Sequence, residues 1–184
     1  MSDKISSLLS PDTPLVFTDG TRIYDKLAKT YKRHAVGYYI LAPSGAGKTH
    51  FVNAQTEKHW MDGDILWAVT NAHPDEAWWR KGRARIEEMA RRGDIITEEA
   101  KKLGFWIVGT DVYFLVPDAI VIPPWDIHQK QILMREHGDY DGGATSADFE
   151  QVLWHRKWIE KTCADVPKFE SVAAAAAYLA AKAS

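Results

Sequence analysis

The sequence predicts an α/β fold of three layers, in which a mostly parallel sheet of five strands carries helices on both faces. Short apolar, β-rich runs alternate with longer helical patterns, and the first run leads into a glycine-rich loop. The 184 residues, 46% of them hydrophobic, suffice for one continuous core. We divide the chain into an N-terminal extension with one helix packed on the core, residues 1–34, and a main domain, residues 35–184.

The amino-terminal half contains the strands expected beside the glycine-rich loop. Apolar residues recur at helical spacing from position 21 to 31, which predicts a helix laid on the domain. The apolar run 36–41 predicts a strand covered on both faces. Residues 51–59 contain no helix breaker and predict a helix, whereas the short run 60–64 predicts a second strand that ends in two acids.

The middle of the chain predicts helices and two more strands. Residues 74–102 are rich in Ala, Glu, Arg and Lys, and Gly93 is expected to divide this helical stretch in two. The runs 105–109 and 119–122 are short, apolar and bounded by Gly, Asp or Pro, which predicts two strands.

The carboxyl-terminal part predicts a helical hairpin, a last strand and a last helix. Helical patterns at 127–136 and 147–162 form the hairpin, which we interpret as a lid of about residues 125–160. Residues 165–169 predict the fifth strand, and Ser171 is a good N-cap for the Ala-rich helix that follows.

The glycine-rich loop is the most specific motif in the chain. Its sequence, Ala42-Pro43-Ser44-Gly45-Ala46-Gly47-Lys48-Thr49, matches the pattern GxxxxGK[ST] except that Ala42 replaces the first glycine. Glycines let consecutive amides point at phosphate oxygens, and the following helix adds its positive amino end. In such a loop Lys48 reaches the β and γ phosphates and the Thr49 hydroxyl ligates magnesium. The motif predicts a site for ATP, or a related nucleoside triphosphate, and Mg²⁺, formed by Pro43, Ser44, Gly45, Ala46, Gly47, Lys48, Thr49 and His50.

A pair of acids, Asp62 and Asp64, follows the second predicted strand, where it should reach the same sheet edge as the loop. Ligands of open parallel sheets bind at that edge. One acid there can accept the proton of an attacking hydroxyl, and another can hold magnesium through water. The alternative is a solvated Asp-Gly turn. The candidate magnesium residues are Thr49, Asp64 and Asp111, the last of which follows the third predicted strand.

The pairing of APSGAGKT at 42–49 with MDGD at 61–64 resembles the small P-loop kinases. It looks like the branch that phosphorylates hydroxyl groups, which includes adenylylsulfate kinases, gluconate kinases and polynucleotide kinase domains. The resemblance covers residues 36–64, and beyond them only the pattern of elements. It implies the P-loop NTPase fold with a helical lid, and an aspartate that meets the acceptor, here Asp62 or Asp64. The Arg that often follows the acidic pair is replaced by Ile65-Leu66-Trp67.

The resemblance also implies lid arginines that neutralise charge on the transferred phosphoryl group. Arg135, Arg156 and Lys157 are the candidates, with Lys130 behind them and Arg135 assigned the catalytic role. Each could instead be a solvated helix residue. A second basic group lies where such kinases hold their acceptor, and it could grip a phosphate or form a plain charged helix face; it consists of Arg80, Arg83, Arg85, Arg91 and Arg92.

Three functions fit these residues. The preferred one is a kinase that transfers the γ-phosphoryl group of ATP to a hydroxyl of a nucleotide or nucleic acid, either a 5′ end or a hydroxymethylated base, resembling viral DNA-modification kinases. The runner-up is a nucleoside monophosphate kinase, whose acceptor phosphate the arginines would hold. The third is an ATPase or nucleotide-dependent switch without an acceptor.

Composition bears on the cellular compartment and the partners of the protein more than on its reaction. A formal net charge of −2 gives no global attraction to nucleic acid or anionic membranes, so any polyanion site must be local. Cys163 is the one cysteine and allows no internal disulfide. No apolar stretch reaches the roughly 18 residues of a membrane span, so we expect a cytoplasmic protein without a membrane partner, its oligomeric state left open. The pair Trp78-Trp79 could stack on a base or pack in the core.

Overall fold

The computed structural model describes residues 20, 22–70, 72, 77–110, 112–138 and 142–183. Within these ranges five strands form one all-parallel sheet. The strands are β1 (Tyr38–Leu41), β2 (Trp60–Asp62), β3 (Trp106–Gly109), β4 (Ala119–Val121) and β5 (Lys168–Phe169). Their order across the sheet is β2-β3-β1-β4-β5, so β1 occupies the centre.

Helices separate most of the strands along the described chain, but no described helix lies between β3 and β4. The helices are α1 (Ile23–Thr30), α2 (Lys48–Ala54), α3 (Gly63–Val69), α4 (Arg83–Lys102), α5 (Trp125–His137), α6 (Phe149–Thr162) and α7 (Val172–Lys182). Two short 3₁₀ turns, Trp78–Arg80 and Ser146–Asp148, precede α4 and α6. None of these helices combines the length and the apolar character needed to cross a bilayer.

The central strand β1 is buried on both faces. Tyr39 and Leu41 join one apolar cluster, whereas Tyr38 and Ile40 join a second one, as the alternation of side chains along a strand requires. The first cluster takes residues from α1, α3, α4 and α6, and the second takes residues from α2 and α7. Helices thus cover both faces of the sheet, and the predicted α/β architecture with five strands is confirmed.

The predicted interruption at Gly93 is wrong, because α4 runs unbroken through this residue. Gly93 is buried one turn before Thr97, whose hydroxyl donates to the Gly93 carbonyl at 2.7 Å and accepts from the Trp67 indole nitrogen at 3.0 Å. A glycine inside a helix costs about 1 kcal/mol relative to alanine. Packing of α4 against α3 offsets this cost, a tertiary effect that the local sequence does not reveal.

The predicted second strand is shorter than expected. β2 ends at Asp62, and the chain turns at once into α3, so Asp64 lies in the first turn of a helix instead of in a strand. The cause is an N-cap, because Asp62 Oδ1 accepts a hydrogen bond from the Asp64 backbone nitrogen at 3.0 Å. The predicted cap at Ser171 is also present, since its hydroxyl accepts from the backbone nitrogen of Ala174 at 3.2 Å.

Glycine at position 109 should be required by the packing of Trp67. A Cβ added there would lie 2.7 Å from Trp67 Cη2 and 2.9 Å from the Tyr39 hydroxyl. We therefore expect Gly109→Ala to lower the free energy of unfolding by about 1–3 kcal/mol, the usual cost of overpacking. Urea unfolding would measure it. The cost should shrink in a Trp67→Phe background, and an equal cost in both backgrounds would contradict this explanation.

Candidate functional site

The glycine-rich loop follows β1 at the carboxyl edge of the sheet. Gly45 and Gly47 both have left-handed backbone conformations, with φ values of +84° and +85°. These values favour glycine, which explains both glycines of the motif. A Cβ on Gly47 would meet no atom within 4 Å, so the loop leaves open space there, whereas a Cβ on Gly45 would collide with Ile132 of α5.

Lys48 is folded back over the loop. Only 6% of the residue is exposed, and its Nζ donates to the carbonyl oxygens of Ala42 at 3.4 Å and of Pro43 at 3.2 Å. A buried ammonium needs such acceptors because losing its hydration is costly. The two carbonyls hold this charge at the loop.

Thr49 and Asp62 are in direct contact. The Thr49 hydroxyl donates to Asp62 Oδ2 at 2.9 Å, and Asp62 is only 2% exposed. Since Asp62 Oδ1 caps α3, both of its oxygens already accept hydrogen bonds. Asp64 is exposed. Asp62 and Asp64, both predicted candidates for the aspartate that meets the acceptor, therefore occupy different environments.

The other predicted residues of the loop differ in exposure. Pro43 and Ala46 are buried, Ser44 is partly buried, and His50 is exposed on α2. Asp111 lies outside the described residues. In the part of the chain that is described, no three His, Cys, Asp or Glu side chains come together as a metal-binding group.

The hairpin of α5 and α6 is packed directly onto the loop. His128 Nε2 lies 2.8 Å from the Ser44 carbonyl oxygen, and the backbone nitrogen of Ala144 donates to the Ser44 hydroxyl at 3.2 Å. His128 is fully buried, and its Nδ1 lies 2.8 Å from Nη1 of Arg156. Sequence reasoning missed His128, because its contact with Ser44 joins residues 84 positions apart.

The basic candidates of the hairpin fall into separate environments. Arg156 is 8% exposed and directs its guanidinium at His128 and at the Pro123 carbonyl, 2.8 Å away. Arg135 donates to the Ala144 carbonyl at 2.5 Å, beside the residue that holds Ser44. Lys130 and Lys157 are exposed. Arg135 is thus the arginine of this set that lies near the loop with part of its surface accessible.

Two histidines near Lys48 are held neutral. Burial lowers the pKa of His128 to about 4; the Ser44 carbonyl opposes this shift, while the charges of Arg156, Lys48 and Arg135 add to it. Burial also lowers the pKa of His155 on α6 to about 4, with further contributions from Lys48 and His128. Positive charge at the loop is therefore supplied by lysine and arginine at neutral pH.

Three of the five arginines in the segment before and within α4 form ion pairs with acids. Arg80 pairs with Asp148 at 2.9 Å, Arg83 with Glu87 at 2.7 Å and Arg85 with Glu88 at 2.8 Å. Gln151 of α6 also donates to the Trp79 carbonyl at 2.9 Å. The hairpin therefore contacts both the loop and this segment. Trp78 is buried and Trp79 partly so, which favours packing for Trp78.

A buried acid, Asp94, fixes the chain that follows β3. Its Oδ2 accepts from the backbone nitrogens of Tyr113, Phe114 and Leu115, at 2.7, 2.6 and 2.8 Å. Burial raises the pKa of Asp94 to about 6, although the three hydrogen bonds act in the opposite direction. The sequence offered no signal for this role.

We compared the chain with protein families, curated proteins and solved structures. No protein-family model matches the chain, and neither the curated proteins nor the solved structures contain a significant match to it. The function must therefore be argued from the geometry of the site.

Stability should fall in acid because of the buried histidines. The unfolded chain takes up a proton on each histidine below the ordinary pKa of 6.5, whereas folded His128 resists protonation until about pH 4. The folded state thus loses stability between these values, by about 3 kcal/mol for His128. Urea unfolding from pH 7 to pH 4 should show a smaller decline for His128→Gln than for the wild type.

Asp94 also affects that pH series. Asp94 opposes the decline, because its raised pKa makes the folded state bind a proton below about pH 6, but it does so equally in both proteins. His137 is exposed, so His137→Gln is the matched control. Its free energy of unfolding should decline with falling pH as in the wild type. Parallel curves for His128→Gln and the wild type would contradict the assignment.

Proposed function

We propose that this chain is an ATP-dependent kinase that transfers the γ-phosphoryl group to a hydroxyl of a nucleotide or nucleic acid, on a P-loop NTPase fold. The observation that carries the proposal is the contact between the Thr49 hydroxyl and buried Asp62, next to Lys48 and with Asp64 exposed two residues further on. Each of these residues has a distinct part in phosphoryl transfer.

The loop fits a triphosphate chain. Two left-handed glycines shape its backbone, and open space adjoins Gly47. Lys48 Nζ bonds only weakly to two carbonyls, at 3.2 and 3.4 Å, and phosphate oxygens are stronger acceptors for an ammonium. Lys48 would exchange these carbonyls for the β and γ phosphates.

Thr49 and Asp62 fit a magnesium site. A hydroxyl that ligates a cation offers its lone pair to the metal and gives its proton to another acceptor. Asp62 Oδ2 is already that acceptor, and this favours Asp62 over Asp64 as the acid on the magnesium side. Bound Mg²⁺ would neutralise charge on the phosphates during transfer.

Asp64 fits the role of the base. Asp62 is buried and both its oxygens are occupied, whereas Asp64 is exposed in the first turn of α3. An exposed carboxylate at the sheet edge can accept the proton of an attacking hydroxyl. We therefore assign acceptor activation to Asp64.

The acid pairs of the arginines favour a hydroxyl acceptor over a monophosphate. Of the five arginines predicted as a basic group, Arg80, Arg83 and Arg85 each bind a carboxylate, so gripping an acceptor phosphate with any of these three would require its ion pair to break. Arg135, near Ser44 through Ala144, is the residue we expect to meet the transferred phosphoryl group.

The direct test is incubation with γ-labelled ATP and magnesium against a panel of acceptors. The panel contains nucleoside monophosphates, DNA with 5′-hydroxyl ends, DNA with 5-hydroxymethyl pyrimidines, and small hydroxylated metabolites. Label on a hydroxyl would support the proposal and name the substrate class. Label on monophosphates alone would replace it with the runner-up, and release of free phosphate with every acceptor would indicate an ATPase.

Three substitutions should separate the roles of the residues. Asp64→Asn should lower the transfer rate about 10²- to 10⁴-fold, the usual worth of a general base, with ATP affinity nearly unchanged. Asp62→Asn should weaken the magnesium dependence as well as the rate, and Lys48→Met should abolish ATP binding. Transfer rates at several magnesium concentrations measure the effects on the reaction, and titrations with a fluorescent nucleotide measure the effect on ATP binding.

A control acid lies on the other side of the fold. Asp165 is exposed and precedes the amino end of β5, so Asp165→Asn should behave as the wild type. A wild-type transfer rate for Asp64→Asn would remove Asp64 from the mechanism.

A further inference from the structure

Ser44 of the glycine-rich loop is held at two atoms by the helical hairpin. His128 Nε2 lies 2.8 Å from its carbonyl oxygen, and the Ala144 backbone nitrogen donates to its hydroxyl at 3.2 Å. Both contacts come from distant parts of the chain. The conformation of Ser44 is therefore set from outside the loop.

The direction of the His128 hydrogen bond follows from Arg156. A guanidinium can only donate, so the contact of 2.8 Å between Arg156 Nη1 and His128 Nδ1 makes Nδ1 the acceptor. The proton of the neutral ring must then sit on Nε2, which donates to the Ser44 carbonyl. Arg156 is itself fixed by the Pro123 carbonyl at 2.8 Å and by the Trp125 ring, 5.4 Å from its guanidinium carbon.

Holding the Ser44 carbonyl also orients the next amide. The peptide between Ser44 and Gly45 is planar and trans, so its N–H points opposite to its C=O. The Gly45 N–H therefore points away from His128. Because glycine tolerates φ values of either sign, Gly45 by itself would not prevent this peptide from flipping.

We propose that His128 is a positioning residue, which clamps the Ser44 carbonyl and so presets the Gly45 amide to bind a phosphate oxygen of a nucleoside triphosphate. Arg156 fixes the ring of His128 in the donating tautomer. The ligand in this proposal rests on the proposed function, whereas the clamp itself does not.

Packing alone does not account for the pair. Arg156 is buried, and among the described residues its hydrogen-bond partners are an imidazole and a carbonyl. The charge of Glu160 acts on it electrostatically, but no described carboxylate forms an ion pair with it. Replacing such buried polar groups by apolar side chains of similar volume is often neutral or stabilising. A purely structural role would therefore be served at least as well by an apolar pair.

The first experiment reads the loop without any nucleotide. The double variant His128→Leu with Arg156→Met removes the clamp without leaving a buried cation, and we expect its melting temperature to match or exceed that of the wild type. In ¹⁵N-labelled protein the Gly45 amide should give one sharp signal in the wild type and a broadened or doubled signal in the variant. An unchanged Gly45 signal would overturn the clamp.

The second experiment measures affinity for ATP carrying an N-methylanthraniloyl fluorophore, with magnesium. If the unclamped loop holds the competent conformation about a tenth of the time, the Kd of the double variant should rise about tenfold. His128→Gln should rescue affinity to within about threefold, because its amide can donate to Ser44 and accept from Arg156.

A matched variant separates the clamp from general loosening of the hairpin. Val152 is buried in a small apolar cluster of the hairpin with Ile132 and Ala144, so Val152→Ala should destabilise the hairpin while it retains the His128 ring and the Ala144 amide that bond to Ser44. Its Kd should equal the wild-type value. An equal rise for Val152→Ala, or a wild-type Kd for the double variant, would overturn the positioning role. Failure of the wild type to bind the probe would overturn the ligand and the proposed function, while the Gly45 signal still decides the clamp.

Discussion

The site depends on the parallel alignment of β1, β3 and β2. Their register aligns Ile40, Val108 and Asp62 across the sheet. The glycine-rich loop begins at Ala42, two residues after Ile40, so β2 ends two residues before the level at which the loop starts. Neighbouring strands lie about 4.8 Å apart, which separates β1 from β2 by about 10 Å. The loop and the start of α2 span this distance, and the Thr49 hydroxyl, which follows the loop, donates a hydrogen bond to Asp62 at the end of β2. Gly109, at the end of the intervening strand, accepts the Ala42 amide at 2.8 Å.

The elements that local patterns specify were predicted well. A buried parallel strand needs a continuous apolar run, and the left-handed turns of the loop need glycine, so both leave a direct mark on the sequence. Gly93 was misjudged because its cost is offset by the contact of Trp67 with Thr97, thirty positions apart in sequence. The different environments of Asp62 and Asp64 were also beyond the sequence, since they follow from where β2 ends.

The hairpin contains one arginine whose environment differs from what the resemblance implies. The resemblance implies arginines that meet phosphate. The guanidinium of Arg156 instead donates hydrogen bonds to His128 and to the Pro123 carbonyl inside the protein. The same hairpin also bonds to Trp79 and Arg80. A segment that touches both the loop and the region before α4 links the two halves of any site between them, so displacing it would disturb both at once.

The electrostatics of the loop follow from burial as much as from charge. His128 and His155 lie close to Lys48, and a second or third cation there would repel it; burial avoids this by keeping both rings neutral at pH 7. A neutral imidazole retains one donor and one acceptor, and His128 uses both. Protonation would give Nδ1 a hydrogen that faces the Arg156 donor, and the contact would turn from attractive to repulsive. The arrangement at Ser44 is therefore compatible with a single charge state of His128, and Lys48 and Arg135 supply the positive charge near the loop.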